Sequence, residues 1–153
     1  MATAARVKQW SFGNFADLYR AAPVDRIGLI KRGFPAREAK SMLAHLSLPA
    51  GDGMRALRLS AATVNRKSAR QEVLAPEDSE RVLGLAKLIG QVQVMVDESG
   101  DPEGFDAESW LSAWLRTPVP ALGGTRPIDL IDTMEGQALV SQVLTQMQSG
   151  AYA

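Results

Sequence analysis

Apolar residues recur along this chain at helical spacing, with no convincing alternation of the kind that marks half-buried strands. From Pro23, the residues Val24, Ile27 and Ile30 fall on one stripe, and Gly33 supplies a stop signal. After Pro35, Ala39, Met42, Leu43 and Leu46 trace the inner face of an amphipathic helix, until Pro49-Ala50-Gly51-Asp52-Gly53 breaks it. A short helix is expected near Met54–Leu57, a turn over Arg58–Ser60, and a second helix to about Arg70. Pro76 opens the longest helix, with Glu77, Asp78 and Glu80 in its first turns, where negative charge suits the helix dipole. Its main seam is Val82, Leu85, Ile89, Val92 and Val96. Leu83, Leu88 and Met95 spread apolar cover beyond one face, so this helix is either central or shared across a dimer.

Gly100-Asp101-Pro102 is the expected boundary between two halves. Beyond it, Trp110, Leu111, Trp114 and Leu115 share one helical face, and large aromatics at that spacing are read mainly as core. Pro118 and Pro120 end that helix, and Gly123–Gly124 makes a turn with positive φ. Thr125 is expected to cap a short helix with Pro127 in its first turn. Thr133 caps the last helix, on which Val140, Val143, Leu144 and Met147 keep the 3.6 period. Gly150 closes it and leaves Ala151-Tyr152-Ala153 as a tail. Residues 1–22 carry Trp10, Phe12 and Phe15 without clear period and read as an arm or a short helix. The fold class is all-α.

Composition narrows the setting. With 46% hydrophobic and 22% charged residues, the 153-residue chain resembles an ordinary soluble globular protein. It has no cysteine, which excludes disulfides and thiolate metal sites and fits a reducing cytoplasm. The opening MATAARVKQW lacks the apolar run of a secretory signal, and no stretch approaches the ~18 apolar residues that cross a bilayer. The zero net charge hides an asymmetry: residues 1–75 hold 13 Lys/Arg against 5 Asp/Glu, whereas residues 76–153 hold 4 against 12. A basic half fits an anionic partner such as nucleic acid, and an acidic half fits a different client.

Within the basic half, "MRALRLSAATVNRKSAR" (Met54–Arg70) has the layout of a helix-turn-helix, with Ser60 placed to cap the second helix. Val64 would face inward. Thr63, Arg66, Lys67 and Arg70 fall on the outward stripe, with Asn65 at its edge. Arginine can grip guanine bidentately, asparagine suits adenine edges, and lysine or arginine neutralises phosphates. A solvated basic face is the plainer reading of such a stripe taken alone. Arg58 sits where these turns often carry glycine, and a positive φ there would cost roughly 1 kcal/mol.

The order "SWLSAWLRTPVPALGGTRPIDLIDTMEG", followed by a capped helix and "MQSGAYA", resembles the C-terminal domain of Xre/MbcA/ParS-type antitoxins. "LSAATVNRK" is similar to that family's helix-turn-helix segment and "LAPEDSERVLGLAKLI" to its linking helix, so the likeness covers about residues 23–153. The spacing from Ala121-Leu122-Gly123-Gly124 to Pro127 is its specific part. Arg58 and Ala75 depart from the family, which more often has Gly and Ser or Thr there. The resemblance leaves the arm over 1–22 outside it and implies an Xre-like helix-turn-helix domain over 23–75, a linking helix over 76–100 and a toxin-binding domain over 101–153. It implies an antitoxin of a type II, RES-Xre-like pair, one that holds an NAD-consuming RES toxin inactive and represses its own operon by binding duplex operator DNA. By position, Gly150, Ala151, Tyr152 and Ala153 would be the tail offered to the toxin's cleft. Trp110, Trp114, Leu122, Gly123, Gly124 and Pro127 would build the platform behind it. A homodimer or a larger hetero-oligomer with toxin is the implied assembly.

An enzyme reading fares poorly, and no catalytic residue, metal or cofactor is expected. His45 stands alone on a helix. Asp97, Glu98, Asp101, Glu103, Asp106 and Glu108 lack the spacing of a calcium loop and read as a solvated linker. The alternative reading is a stand-alone helix-turn-helix regulator whose acidic half only dimerises.

Overall fold

The computed structural model describes residues 7–49, 51–100 and 102–150. Ala151, Tyr152 and Ala153, Ala50 in the Pro49–Gly53 break, Asp101 in the expected boundary, and the first six residues of the expected arm lie outside them. Among the described residues the chain is all-α. The helices are α1 (Phe15–Arg20), α2 (Pro23–Arg32), α3 (Ala36–His45), α4 (Asp52–Ala56), α5 (Ala61–Ala69), α6 (Pro76–Glu98), α7 (Ala107–Leu115) and α8 (Met134–Ser149). Short 3-10 turns at Pro120–Leu122 and Pro127–Asp129 join α7 to α8.

The α6 helix is the axis on which the rest is laid: α1, α2, α7 and α8 all pack against it, and α3 packs on α5. Its apolar residues go all round because neighbours surround it, and Val82, Leu83, Leu85, Leu88, Ile89 and Val92 are all buried. The central position expected for this helix is observed within the chain. One continuous core runs from Phe15 and Leu18 through Phe34, Leu46, Leu57 and Val64 to Leu111, Leu115, Ile131, Val140 and Leu144.

Two glutamines fasten α8 to α6. Buried Gln91 donates from Nε2 to the Ser141 carbonyl at 3.0 Å and to Thr145 Oγ1 at 3.1 Å, while Ser141 Oγ donates to Gln91 Oε1 at 2.8 Å. Buried Gln137 donates to the carbonyls of Arg81 at 3.0 Å and Ile131 at 2.9 Å. Both Nε2 groups are satisfied, as a buried donor requires, and Gln91 Oε1 also accepts a bond, whereas Gln137 Oε1 is buried without a partner among the described residues.

The stripe on α2 differs from expectation. Val24 is 72% and Ile27 50% exposed, while Leu29 is buried. The inward position goes to Arg26, whose Nη1 donates to the carbonyls of Leu18, Tyr19 and Ala21 at the end of α1. Those carbonyls have no partners within α1, and satisfying them fixes the rotation of α2 at the expense of two apolar side chains. The cap expected of Thr125 is also absent. The turn at Pro127–Asp129 is preceded by Arg126 and has no side-chain cap, whereas the Thr125 carbonyl accepts from the Val119 amide and closes the preceding loop.

Candidate functional site

The helix-turn-helix forms where the sequence places it. Ser60 Oγ accepts from the Thr63 amide at 3.2 Å and caps α5. Val64 (1% exposed) and Ser68 turn inward. Outward, Asn65, Arg66 and Arg70 are exposed, and Thr63 and Lys67 are half-buried at the edge of the same stripe. Among the described residues Arg66, Lys67 and Arg70 enter no ion pair. Three cations on one turn-and-a-half of helix, uncompensated by carboxylates, leave their charge for an external anion.

The turn before α5 is braced by residues that sequence reasoning did not single out. Arg58 takes φ +53°, the conformation that glycine more often supplies at this position of the turn. Arg81 of α6 donates through Nε to the Leu57 carbonyl at 2.6 Å and through Nη2 to the Arg58 carbonyl at 3.3 Å, and it pairs with Asp78. The Arg58 side chain reaches Asp132, with Nε 2.9 Å from Oδ2. These partners lie 23 to 74 positions apart, and no local pattern marks them.

In the second half, Asp106 caps α7. Its Oδ1 accepts from the Ser109 amide at 3.1 Å and its Oδ2 from Ser109 Oγ at 2.7 Å, bonds that hold its carboxyl below the usual range. Leu111 and Leu115 are fully buried, whereas Trp110 and Trp114 lie against the core half-buried. The two indoles stack on each other, centroids 5.7 Å apart and planes within 13°. Both tryptophans pack on the core, but from its edge: positions 111 and 115 take the centre of the face and 110 and 114 its flank, one helical step of about 100° away.

Beyond α7, half-buried Leu122 ends a 3-10 turn, and Gly123 and Gly124 follow at φ +66° and +83°. Nothing lies within 4 Å of where a Cβ would stand on either glycine, so backbone conformation and not crowding calls for glycine there. The Gly124 amide donates to the Val119 carbonyl at 3.0 Å, closing the loop, and Pro127 is buried beneath it against α7. Thr133 Oγ1 accepts from the Gly136 amide at 2.9 Å and caps α8. Gly150 ends α8 at φ +72° and is exposed, and Gln148 near that end donates to Glu98 at the end of α6 at 2.9 Å. Ala151, Tyr152 and Ala153 follow outside the described residues. No helix among the described residues is long and apolar enough to cross a membrane.

Comparison with known proteins coincides with these two regions. Residues 25–87 match the family described as Antitoxin Xre-like helix-turn-helix domain. Residues 103–150 match the Antitoxin Xre/MbcA/ParS C-terminal toxin-binding domain. A Prs ADP-ribosylating antitoxin of Sphingobium sp. (strain YBL2) is 60% identical over 136 residues, covering 89% of this chain and 86% of the relative. An Antitoxin Xre of Yersinia enterocolitica serotype O:8 / biotype 1B (strain NCTC 13174 / 8081) is 27% identical over 124 residues, covering 81% and 78%. With a capped, cation-bearing helix in the first region and a tryptophan-flanked helix and glycine loop in the second, the chain belongs to the Xre/MbcA/ParS-type antitoxins.

Proposed function

We propose that this antitoxin neutralises a cognate RES-type toxin that consumes NAD, and that it represses its own operon through α5. The observation that carries the DNA half is the uncompensated stripe of Arg66, Lys67 and Arg70 beside Asn65 on a capped helix of groove-fitting diameter. Thr63 and Asn65 would meet base edges, and the three cations guanine or phosphate. Two half-sites on a duplex call for two copies of the helix, so the DNA-bound form is a homodimer or a larger assembly with toxin. The toxin half draws support from the name of the Sphingobium relative, since ADP-ribosyl groups come from NAD, the cofactor a RES toxin would spend.

The tail Gly150-Ala151-Tyr152-Ala153 would enter the toxin's cleft, backed by Trp110, Trp114, Leu122, Gly123, Gly124 and Pro127. A short segment costs little to order, and Tyr152 offers both apolar area and a hydroxyl. A cleft that admits an anionic cofactor is basic, and a half with 12 carboxylates against 4 cations would be steered to it. Footprinting on its promoter tests the first part: Arg66→Ala, Arg70→Ala loses protection, and retained protection removes α5 from the interface. Co-expression with the adjacent toxin gene tests the second. A chain lacking 150–153 still binds DNA but no longer permits growth, and normal growth with that truncation removes the plug.

A further inference from the structure

The Arg58–Asp132 pair spans the two regions just described. Arg58 is the pivot of the helix-turn-helix: it lies between α4 and α5, in a left-handed conformation that residues with a side chain rarely take. The carbonyls of Leu57 and Arg58 are both occupied by Arg81, so the main chain of the turn is held from α6. Its side chain is held from elsewhere, by an Asp132 that belongs to the toxin-binding domain and stands just ahead of the α8 cap. Around this bond, Asp52, Arg55 and Ala56 of α4 face Arg116, Arg126 and Asp129 across a cleft of about 320 Å³. Within that cleft Arg55 pairs with Asp52 and Arg126 with Asp129, so each of those pairs stays on its own side. Among the described residues, Arg58–Asp132 is the ion pair that crosses.

We infer that Asp132 is a positioning residue for operator recognition: through Arg58 it fixes the angle at which α5 leaves the turn, and so the register of Asn65 and Arg66 on the bases. This rests on the DNA-reading role proposed for α5. Asp132 touches no DNA in this account, and it is an acid acting in favour of a polyanion. Simple electrostatics predicts the opposite sign, because removing a carboxylate near a nucleic-acid surface tightens binding. Asp129 is the matched control, since it contributes the same charge to the same cleft but is bonded to Arg126 and not to the turn.

The test is a fluorescence-anisotropy titration of the full-length chain on the duplex upstream of its own reading frame and on a scrambled duplex of equal length. Asp132→Ala weakens promoter binding about threefold to fivefold, what a partly exposed ion pair can supply, and leaves scrambled binding equal or tighter. Asp129→Ala leaves both equal or tighter. In an Arg58→Gly background, where glycine suits the turn and the chain still folds, Asp132→Ala has no further weakening effect. If Asp132→Ala behaves like Asp129→Ala, or still weakens promoter binding after Arg58→Gly, the positioning role is overturned while operator binding stands. A wild-type chain that prefers neither duplex overturns operator reading, and the role of Asp132 with it.

Discussion

Gly84 on α6 and Gln137 on α8 occupy the same space: a Cβ on Gly84 would lie 1.7 Å from Gln137 Oε1 and 2.2 Å from its Cδ. Gln137 can lie across α6 only because position 84 has no side chain, and there its Nε2 joins Arg81 and Ile131. Gly84→Ala therefore costs about 2 kcal/mol by overpacking and loss of those bonds. Adding Gln137→Ala recovers part of the loss, because the intruding methyl then meets an empty place. Urea unfolding of the two single variants and the double checks this, and strictly additive losses would refute the shared-space account.

A second glycine on α6 has a stiffer neighbour. At Gly90 a Cβ would fall 2.0 Å from the Phe15 carbonyl oxygen and 2.8 Å from Tyr19 Cβ. A main-chain carbonyl at the start of α1 cannot swing aside as a glutamine can, so α1 itself must move. Gly90→Ala is expected to cost about 3 kcal/mol or more and to expose Phe15 and Leu18, both buried in wild type. Hydrogen exchange would find the amides of α1 losing protection ahead of those in α5.

Whether a feature was legible in the sequence follows from the range of the interaction that decides it. The Ser60 and Thr133 caps, the stops at Gly33 and Gly150 and the φ of Gly123 and Gly124 are settled within four residues, and all were readable. The outward aspect of Asn65, Arg66 and Arg70 follows from helical period alone. The rotation of α2 is set by carbonyls at the end of another helix, so the period of Val24, Ile27 and Ile30 marks a helix without showing that Val24 and Ile27 face solvent. Gln91 and Gln137 look like breaks in an apolar seam until their partners, 50 and 56 positions away, are in place. Arg58 could be recognised as strained, but nothing near it in the chain points to Asp132.

Asp106 gives a pH signature. Its bonds to Ser109 depress its carboxyl, so the stability it adds is complete above the ordinary carboxylate range and is lost as pH falls through the folded-state value. Asp106→Ala removes a cap and costs about 1 kcal/mol at neutral pH. The gap between wild type and variant should close on acidification. Asp106→Asn keeps an oxygen for the Ser109 amide, so it restores much of the neutral stability without its share of the pH dependence. Thermal melts at several acidic pH values would show this, and a gap that stays constant to low pH would contradict the cap's ionisation.

Lys87 has the opposite sign. It projects from α6 into a groove between α2 and α8 lined by Ile27, Ile30, Leu83 and Met134, and among the described residues it makes no ion pair, although Glu80 lines the same groove. Burial first, then the nearby charge of Arg26, pushes its pKa below the ordinary 10.5. A base with a depressed folded-state pKa destabilises the fold while protonated in both states, and that penalty shrinks as pH climbs from the folded value towards the unfolded one. Lys87→Met, which keeps the length of the side chain without the charge, is therefore more stable than wild type at neutral pH, and its advantage shrinks under alkaline conditions. Because the amine is half in solvent, the neutral-pH gain is modest, about 1 kcal/mol or less. Urea midpoints for the two proteins at neutral and alkaline pH check the sign, and a variant less stable at neutral pH would mean that the ammonium is held by a partner.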